Sequence, residues 1–197
     1  AESLFWIAEC KYHKGELDEA ISQYEEFRME PGAALTAVFH QADYNIGYAY
    51  FLKSTPFNYN RNNTISSDER SAHLNSRIAS FRNFVLLEDR VAKKPLIDAF
   101  LRLADCYFLL SDDEKAIEYF DMVIQKGDGD LSYAYFKKAT SQGYIEDHEG
   151  KANTLQELTE RYPNSSYQIL SIRELADTYK AQGEHQKAID TYEQFIR

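Results

Sequence analysis

One short pattern occurs three times along the chain. It reads KGELDEAISQYEEF at Lys14–Phe27, LSDDEKAIEYFDMV at Leu110–Val123 and QGEHQKAIDTYEQF at Gln182–Phe195. In the first copy, Ala20, Tyr24 and Phe27 follow the spacing i, i+4, i+7, which places them on one face of an α-helix. The chain is therefore predicted to be built from repeated amphipathic helices.

A further helix precedes each copy of the pattern. In the first copy Leu4, Ile7 and Ala8 recur at helical spacing before Gly15. Glycine suits the left-handed conformation that ends a helix, and the acidic Asp18 suits the start of the next one. Each repeat is thus predicted to be two helices joined by a short turn.

Every first helix carries one small residue that lets helix backbones approach closely. These residues are Ala8, Gly47, Ala104, Ala139 and Ala176. Twelve positions later a second small residue follows in the first, third and fifth copies. The fourth copy has Lys151 there, and it has Gln142 where the second, third and fifth copies have tyrosine; the first copy has Lys11 at that position. Pro31, Pro95 and Pro163 lie at the joins between copies, where a helix is expected to stop.

The pattern resembles the tetratricopeptide repeat, a helix–turn–helix unit of about 34 residues. The resemblance covers nearly the whole chain and implies an all-α, right-handed superhelix, or α-α solenoid, of about five stacked repeats. The predicted repeats span about 1–30, 40–93, 97–127, 131–163 and 169–197.

The second repeat is longer than the others. Its helices are predicted at His40–Lys53 and Asp68–Leu87, with Ile78, Phe81 and Phe84 in the core. About 18 extra residues separate the two helices, and they include an inserted loop at about 54–67 that is rich in Asn and Ser. Such a loop is either functional or a tolerated surface insertion.

In this family the first helices line a concave groove. The groove positions lie three before, one after, and four or five after the small residue. They are Phe5, Glu9, Tyr12 and His13; Tyr44, Tyr48, Phe51 and Leu52; Leu101, Asp105, Phe108 and Leu109; Phe136, Thr140 and Tyr144; Arg173, Asp177 and Lys180.

These groove residues are aromatic in the middle repeats and include scattered carboxylates. Well-known peptide-binding members hold a C-terminal carboxylate with a clamp of Lys, Asn and Arg. The matching positions here, which start with Phe5 and Glu9, lack this clamp. The lining instead suits an extended or helical protein segment with apolar and basic residues. The alternative is that several of these aromatic residues belong to the core.

Composition excludes several other classes of function. The chain has 22 basic and 32 acidic residues, a net charge of −10, so it lacks the basic surface that binds nucleic acid or anionic membranes. No apolar run is long enough for a spanning helix. Cys10 and His13 are too few for a metal site, and Cys10 and Cys106 are expected to pack without pairing.

No catalytic or cofactor motif is present, so the leading hypothesis is a non-enzymatic scaffold without cofactor or metal. Two alternatives stay open. The first is an outer-membrane glycan-capture protein, in which Phe57 and Tyr59 of the inserted loop would stack on sugars. The second is the docking arm of a larger enzyme.

The join at Tyr162–Tyr167 reads YPNSSY. It resembles a Tyr-Pro-x-Ser-x-Tyr junction of tetratricopeptide proteins in the bacterial cell envelope. That resemblance implies a role in envelope assembly or organisation, in the periplasm or on the periplasmic face of the outer membrane. A cytoplasmic location is the alternative.

The chain starts without Met in what reads as helix interior, so we expect it to be a piece of a longer protein. It stops inside a second helix, and repeat arrays need polar caps for solubility. We therefore expect Ile189, Phe195 and Ile196 to be exposed and to favour self-association.

Overall fold

A computed structural model describes residues 1–54 and 66–193. This part of the chain forms α-helices and two short 3-10 turns, and contains no strand. The helices are α1 Glu2–Lys14, α2 Leu17–Met29, α3 Phe39–Ser54, α4 Ser67–Val85, α5 Lys93–Leu109, α6 Asp113–Lys126, α7 Leu131–Tyr144, α8 His148–Arg161, α9 Gln168–Ala181 and α10 His185–Glu193. The predicted all-α class is confirmed. Phe57, Tyr59, Phe195 and Ile196 lie outside the described residues.

The helices form two compact units, Ala1–Ala99 and Phe100–Arg197, with the division inside α5. In unit 1, α2 packs against α1 and α3, and α3 packs against α4. In unit 2, each helix from α6 to α10 packs against the next one in the chain. Each unit is therefore built from helices that are neighbours in sequence.

The small residues of the first helices lie where helices meet. Ala8, Ala104 and Ala176 are completely buried, and Ala139 is nearly so. At Gly47 a methyl group would lie 2.8 Å from the ring of Phe81, which is itself fully buried. A larger residue at these positions would push the helices apart.

The helix ends follow local chemistry. Ser66 caps α4, where its Oγ accepts a hydrogen bond of 3.1 Å from the Glu69 backbone N–H, so the predicted start near Ser67 is confirmed. Pro31 and Pro163 lie between helices, as predicted. The expected stop at Pro95 is wrong, because Pro95 lies in the first turn of α5, where the missing N–H leaves no helical bond unmade.

In the fourth repeat, neighbouring side chains accommodate the two unusual residues Lys151 and Gln142. Lys151 takes the place of a small residue, and Gly143 opposite it leaves room for the lysine stem, whose Cδ would lie 3.3 Å from an added methyl. Lys151 Nζ reaches Glu174 of α9 at 2.9 Å. The buried Gln142 accepts a 2.8 Å hydrogen bond from Thr154 Oγ1. These polar bonds add to the apolar packing of this repeat, where Ala139 and Leu155 are buried.

The two cysteines differ in environment, and neither is in a disulfide. Cys106 is completely buried, in agreement with a packing role. Cys10 is exposed on α1, so the same expectation is wrong for Cys10.

We expect Gly47→Ala to destabilise the protein by about 1–3 kcal/mol, because the added methyl overpacks the core against Phe81. Gly143→Ala is the matched control, since there the methyl meets only a flexible lysine stem and gains helix propensity. Urea denaturation of both variants checks this. Equal stability changes in the two variants would contradict the packing argument.

Asp43 of α3 is a buried carboxyl group. Its Oδ1 lies 3.1 Å from Arg28 Nη1 of α2. Burial raises the pKa of Asp43 to about 6, although Arg28 and a hydrogen bond with Asn83 act in the opposite direction. The native state therefore holds a proton on Asp43 more tightly than the unfolded chain does.

Because the folded-state pKa is raised, Asp43 should reduce stability as the pH rises from about 4 to about 6. We expect Asp43→Asn to gain stability relative to the wild type across this window, by up to about 3 kcal/mol. Chemical denaturation at pH 4, 5, 6 and 7 measures the difference. Parallel stability profiles of the two proteins would show that the carboxyl group is not responsible.

Candidate protein-interaction faces

In unit 1, two predicted groove tyrosines of α3 bond to one carboxylate. Tyr44 Oη donates to Asp98 Oδ2 at 2.9 Å, and Tyr48 Oη donates to the same oxygen. The Tyr44 ring lies 5.0 Å from that of Phe84, and the Tyr48 ring 5.6 Å from that of Phe81. Burial and the charge of Asp98 raise the pKa of Tyr44. These half-buried tyrosines therefore have a structural role, whatever they also bind.

Phe51, the third predicted groove aromatic of α3, is covered on one side. The guanidinium carbon of Arg77, from α4, lies 4.8 Å from the centroid of the Phe51 ring. Arg77 itself is buried. This stacked cation fixes the Phe51 ring and leaves less of it open to a ligand.

The predicted groove residues of α1 have different surroundings in the structure. Glu9 accepts hydrogen bonds from Tyr24 of α2 and Asn45 of α3. Burial, followed by the bond to Glu9, raises the pKa of Tyr24. Tyr12 is half-buried and lines an open cleft of about 520 Å³ beside the α1–α2 turn, together with Leu52 and Lys53.

Two predicted groove residues are buried instead. Phe5 is 2% exposed, and its ring lies 5.6 Å from those of Tyr24 and Phe27 on α2. Leu101, at the same repeat position in α5, is 7% exposed. Placing these two in a groove was wrong, because their apolar side chains complete the core of their units.

In unit 2, side chains of α5 and α7 form a half-exposed surface that we call the α5–α7 face. It comprises Asp105, Phe108, Tyr133, Phe136 and Lys137, together with Tyr167 from the loop before α9. Tyr133 Oη donates to Asp105 Oδ1 at 2.6 Å, and Arg102 Nη1 lies 3.1 Å from Asp105 Oδ2. Burial, followed by the charge of Asp105, raises the pKa of Tyr133.

The aromatic rings of this face are accessible and held in place. Lys137 Nζ lies 4.2 Å from the centroid of Phe108, a cation–π contact. The Phe136 and Tyr167 rings are stacked, with centroids 5.1 Å apart and planes 26° apart. The α5–α7 face therefore presents oriented aromatic rings beside one ammonium group and one carboxylate.

The remaining groove candidates lie further along unit 2. Arg173 and Asp177 are exposed on α9, and Asp177 Oδ1 accepts a 2.9 Å hydrogen bond from Tyr192 Oη of α10. Tyr144 is 67% exposed at the end of α7, with its ring 6.0 Å from that of Phe108. Tyr144 thus lies beside the α7–α8 turn.

Sequence reasoning missed one recurring contact, a tyrosine hydroxyl that donates to a carboxylate on another helix. Tyr24 bonds to Glu9 in the first repeat, and Tyr192 bonds to Asp177 in the fifth. Both acids lie one position after the small residue, and both tyrosines lie sixteen after it. That shared spacing was the available signal. A basic partner would have to share these carboxylates with the tyrosines.

The structure describes residues 1–54 and 66–193. Within them, no group of three or more His, Cys, Asp or Glu side chains is placed to hold a metal ion. None of the helices there combines the length and the apolar character needed to cross a bilayer.

Two family models match stretches of the chain. One model described as tetratricopeptide repeat matches residues 2–28, 98–126 and 133–165, and a second with the same description matches residues 171–197. Together they cover more than half of the sequence, and each matched stretch covers most of one helix pair described above. The chain belongs to the tetratricopeptide-repeat family.

Solved structures agree on the fold. A crystal structure of MamA is 16% identical, with a TM-score of 0.65 over 96% of this chain and 92% of that chain. YrrB, described as a tetratricopeptide-repeat protein with an unusual peptide-binding site, is also 16% identical, with a TM-score of 0.65 over 98% of this chain and 83% of that chain. A putative kinesin light chain from Podosopora anserina is 13% identical, with a TM-score of 0.59 over 98% and 92%. No curated protein matches the sequence.

We expect Tyr133→Phe to destabilise unit 2 by about 1–2 kcal/mol, since it removes the hydroxyl that satisfies Asp105 and keeps the ring. Tyr144→Phe, at an exposed tyrosine, should change stability by less than about 0.5 kcal/mol. Thermal unfolding followed by circular dichroism compares the two variants. If Tyr133→Phe is as mild as Tyr144→Phe, the hydrogen bond contributes nothing to the fold.

Proposed function

We propose that the protein is a non-enzymatic scaffold that binds a segment of another protein on the first helices of its repeats, chiefly on the α5–α7 face. One observation carries this proposal. The Phe108 and Phe136 rings stay half-exposed, although neighbouring side chains hold them in fixed orientations. Ordered aromatic surface of this kind binds apolar side chains with little loss of conformational entropy.

Family membership and the similarity to YrrB, described as having an unusual peptide-binding site, support the same class of function. The unit 1 tyrosines are a weaker candidate surface, because their hydroxyls and rings already serve the contacts with Asp98 and Phe81. The α5–α7 face has its aromatic surface outside the fully buried core.

The contacts of the face also suggest a partner. A segment with apolar side chains would stack on Phe136 and Tyr167, and its basic side chains would compete with Lys137 for the Phe108 ring or with Tyr133 for Asp105. We therefore propose a partner segment that is apolar and basic, in an extended or helical conformation.

Peptides selected from a random display library against the purified chain test the proposal. We expect the selected peptides to bind at least about tenfold more weakly to Phe136→Ala, which breaks the ring stack, and at least as tightly to Lys137→Gln, which frees the Phe108 ring for a basic side chain. Isothermal titration calorimetry measures each affinity, and the melting temperature of each variant verifies that it is folded.

Lys187→Gln is a matched control. Lys187 also lies over a tyrosine ring, 5.3 Å from the centroid of Tyr179, but its helix is the second of its repeat. It should leave the affinity within about twofold. Selected peptides that bind Phe136→Ala as tightly as the wild type would refute a binding role for the α5–α7 face.

We further propose a location in the bacterial cell envelope, where the protein would take part in envelope assembly or organisation. The support is the resemblance of the Tyr162–Tyr167 junction to envelope tetratricopeptide proteins. In the structure this junction also has a local role, since Tyr167 N–H bonds to Ser165 Oγ at 3.2 Å and the Tyr162 ring lies 5.8 Å from that of Tyr135. Fractionation of the source cells tests the location, and recovery of the protein in the cytosol would refute it.

A further inference from the structure

Four of the turns between the first and second helix of a repeat, all in the described part of the chain, share one backbone geometry. In the α1–α2 turn, Gly15 N–H bonds to the Tyr12 carbonyl at 3.0 Å and Glu16 N–H to the Lys11 carbonyl at 3.0 Å. The same two bonds recur in the α9–α10 turn, where Gly183 is the left-handed residue. This Schellman motif favours glycine, which has no Cβ to clash in the left-handed region.

Two neighbouring turns of unit 2 keep the bonds and lack the glycine. In the α5–α6 turn, Ser111 has φ 57°, and Asp112 N–H bonds to the Tyr107 carbonyl at 3.0 Å. In the α7–α8 turn, Glu146 has φ 61°, and Asp147 N–H bonds to the Gln142 carbonyl at 2.9 Å. Both turns hold a side chain in a conformation that glycine adopts at lower cost.

The residues just before these positions differ in the same two turns. The pair is His13-Lys14 in the first repeat and Ala181-Gln182 in the fifth, but Leu109-Leu110 in the third and Tyr144-Ile145 in the fourth. Leu109 is 64% exposed, Leu110 39%, Tyr144 67% and Ile145 38%. The fold needs neither apolar pair, because the other repeats close the same turn with shorter or polar residues.

The two apolar pairs lie at helix ends that are close together. The Phe108 and Tyr144 rings, at the ends of α5 and α7, have centroids 6.0 Å apart. We call the surface formed by Leu109, Leu110, Tyr144 and Ile145 the turn ridge. It is a group of exposed apolar side chains, and such groups mark interaction sites on soluble proteins when they are contiguous.

Exposed acidic residues follow both apolar pairs of the turn ridge in sequence. Glu114, Glu146, Asp147 and Glu149 are exposed in the segments that follow the two apolar pairs, and Lys115 is engaged in an ion pair with Asp112. An anionic lipid surface would be repelled by these acidic residues. A helix with one apolar face and flanking lysine or arginine residues matches both the ridge and the acidic residues.

We propose that the turn ridge is a second docking surface, next to the α5–α7 face, and that it binds an amphipathic basic helix of a partner protein. The apolar face of the partner helix covers the two exposed pairs, and its cations meet the acidic residues. In this mode of binding, the surface recognises apolar side chains that recur at helical spacing on the partner helix. The charged side chains determine the orientation of the partner helix and the salt dependence of binding.

A designed helical peptide of 18 residues, with leucine on one face and lysine on the other, is the probe. The same peptide with glutamate in place of lysine is its matched control. Fluorescence anisotropy at low and high salt measures both affinities. We expect the lysine peptide to bind at least tenfold more tightly than the glutamate peptide, with a preference that falls as salt rises.

A turn-swap variant locates the binding. It gives both turns the residues of the fifth repeat, through Leu109→Ala, Leu110→Gln and Ser111→Gly with Tyr144→Ala, Ile145→Gln and Glu146→Gly. We expect at least a tenfold loss of affinity for the lysine peptide. Met29→Gln and Leu35→Gln, at exposed apolar residues outside the turn ridge, should bind within twofold of the wild type.

Folding of the variant is an independent check. We expect the turn-swap variant to melt no lower than the wild type, because glycine relieves the left-handed positions. Any one of four results would overturn the proposal. The first two are no binding of the lysine peptide to the wild type, and equally tight binding of that peptide to the turn-swap variant. The other two are binding of the glutamate peptide as tight as that of the lysine peptide, and a turn-swap variant that melts at a lower temperature than the wild type. Tighter binding of the wild type to neutral phosphatidylcholine vesicles than to the lysine peptide would also overturn it.

Discussion

Close approach of helix backbones at one repeated position is the constraint on which this structure depends. Each first helix has a small residue there, and from Ala8 to Ala176 these residues are buried where helices meet. The tight contact sets which side chains face the core, as at Gly47, where the Phe81 ring fills the space that a methyl would need. The neighbouring positions of the first helix are then left to carry the tyrosines and carboxylates that connect one helix to the next.

The sequence predicted this framework because helical spacing and turn residues are local signals. The helix pairs, the start of α4 and the core residues Phe81 and Phe84 followed from periodicity alone. The two turns at Ser111 and Glu146 kept their geometry without glycine, since the backbone hydrogen bonds and the packing of the flanking helices hold them. Local preference predicts glycine at those positions, and tertiary structure overrides it.

The candidate site was predicted less completely, because exposure depends on neighbours that are distant in sequence. Phe5 and Phe136 occupy the same repeat position, yet Phe5 is buried against α2 and Phe136 is half-exposed against Tyr167. The acids were read as open to a partner, whereas Glu9 and Asp105 accept hydrogen bonds from tyrosines. Side-chain partners of this kind become visible only when the helices are assembled.

The central claim is that a protein segment binds on the first helices of the repeats. Mapping amide chemical shifts of the isotope-labelled chain during titration with a selected peptide tests it most directly. The account predicts the largest changes at Asp105, Phe136 and Lys137, with small changes at Ala116 and Leu155 on the second helices α6 and α8. Changes confined to α6 and α8, with the α5–α7 face undisturbed at saturation, would contradict it.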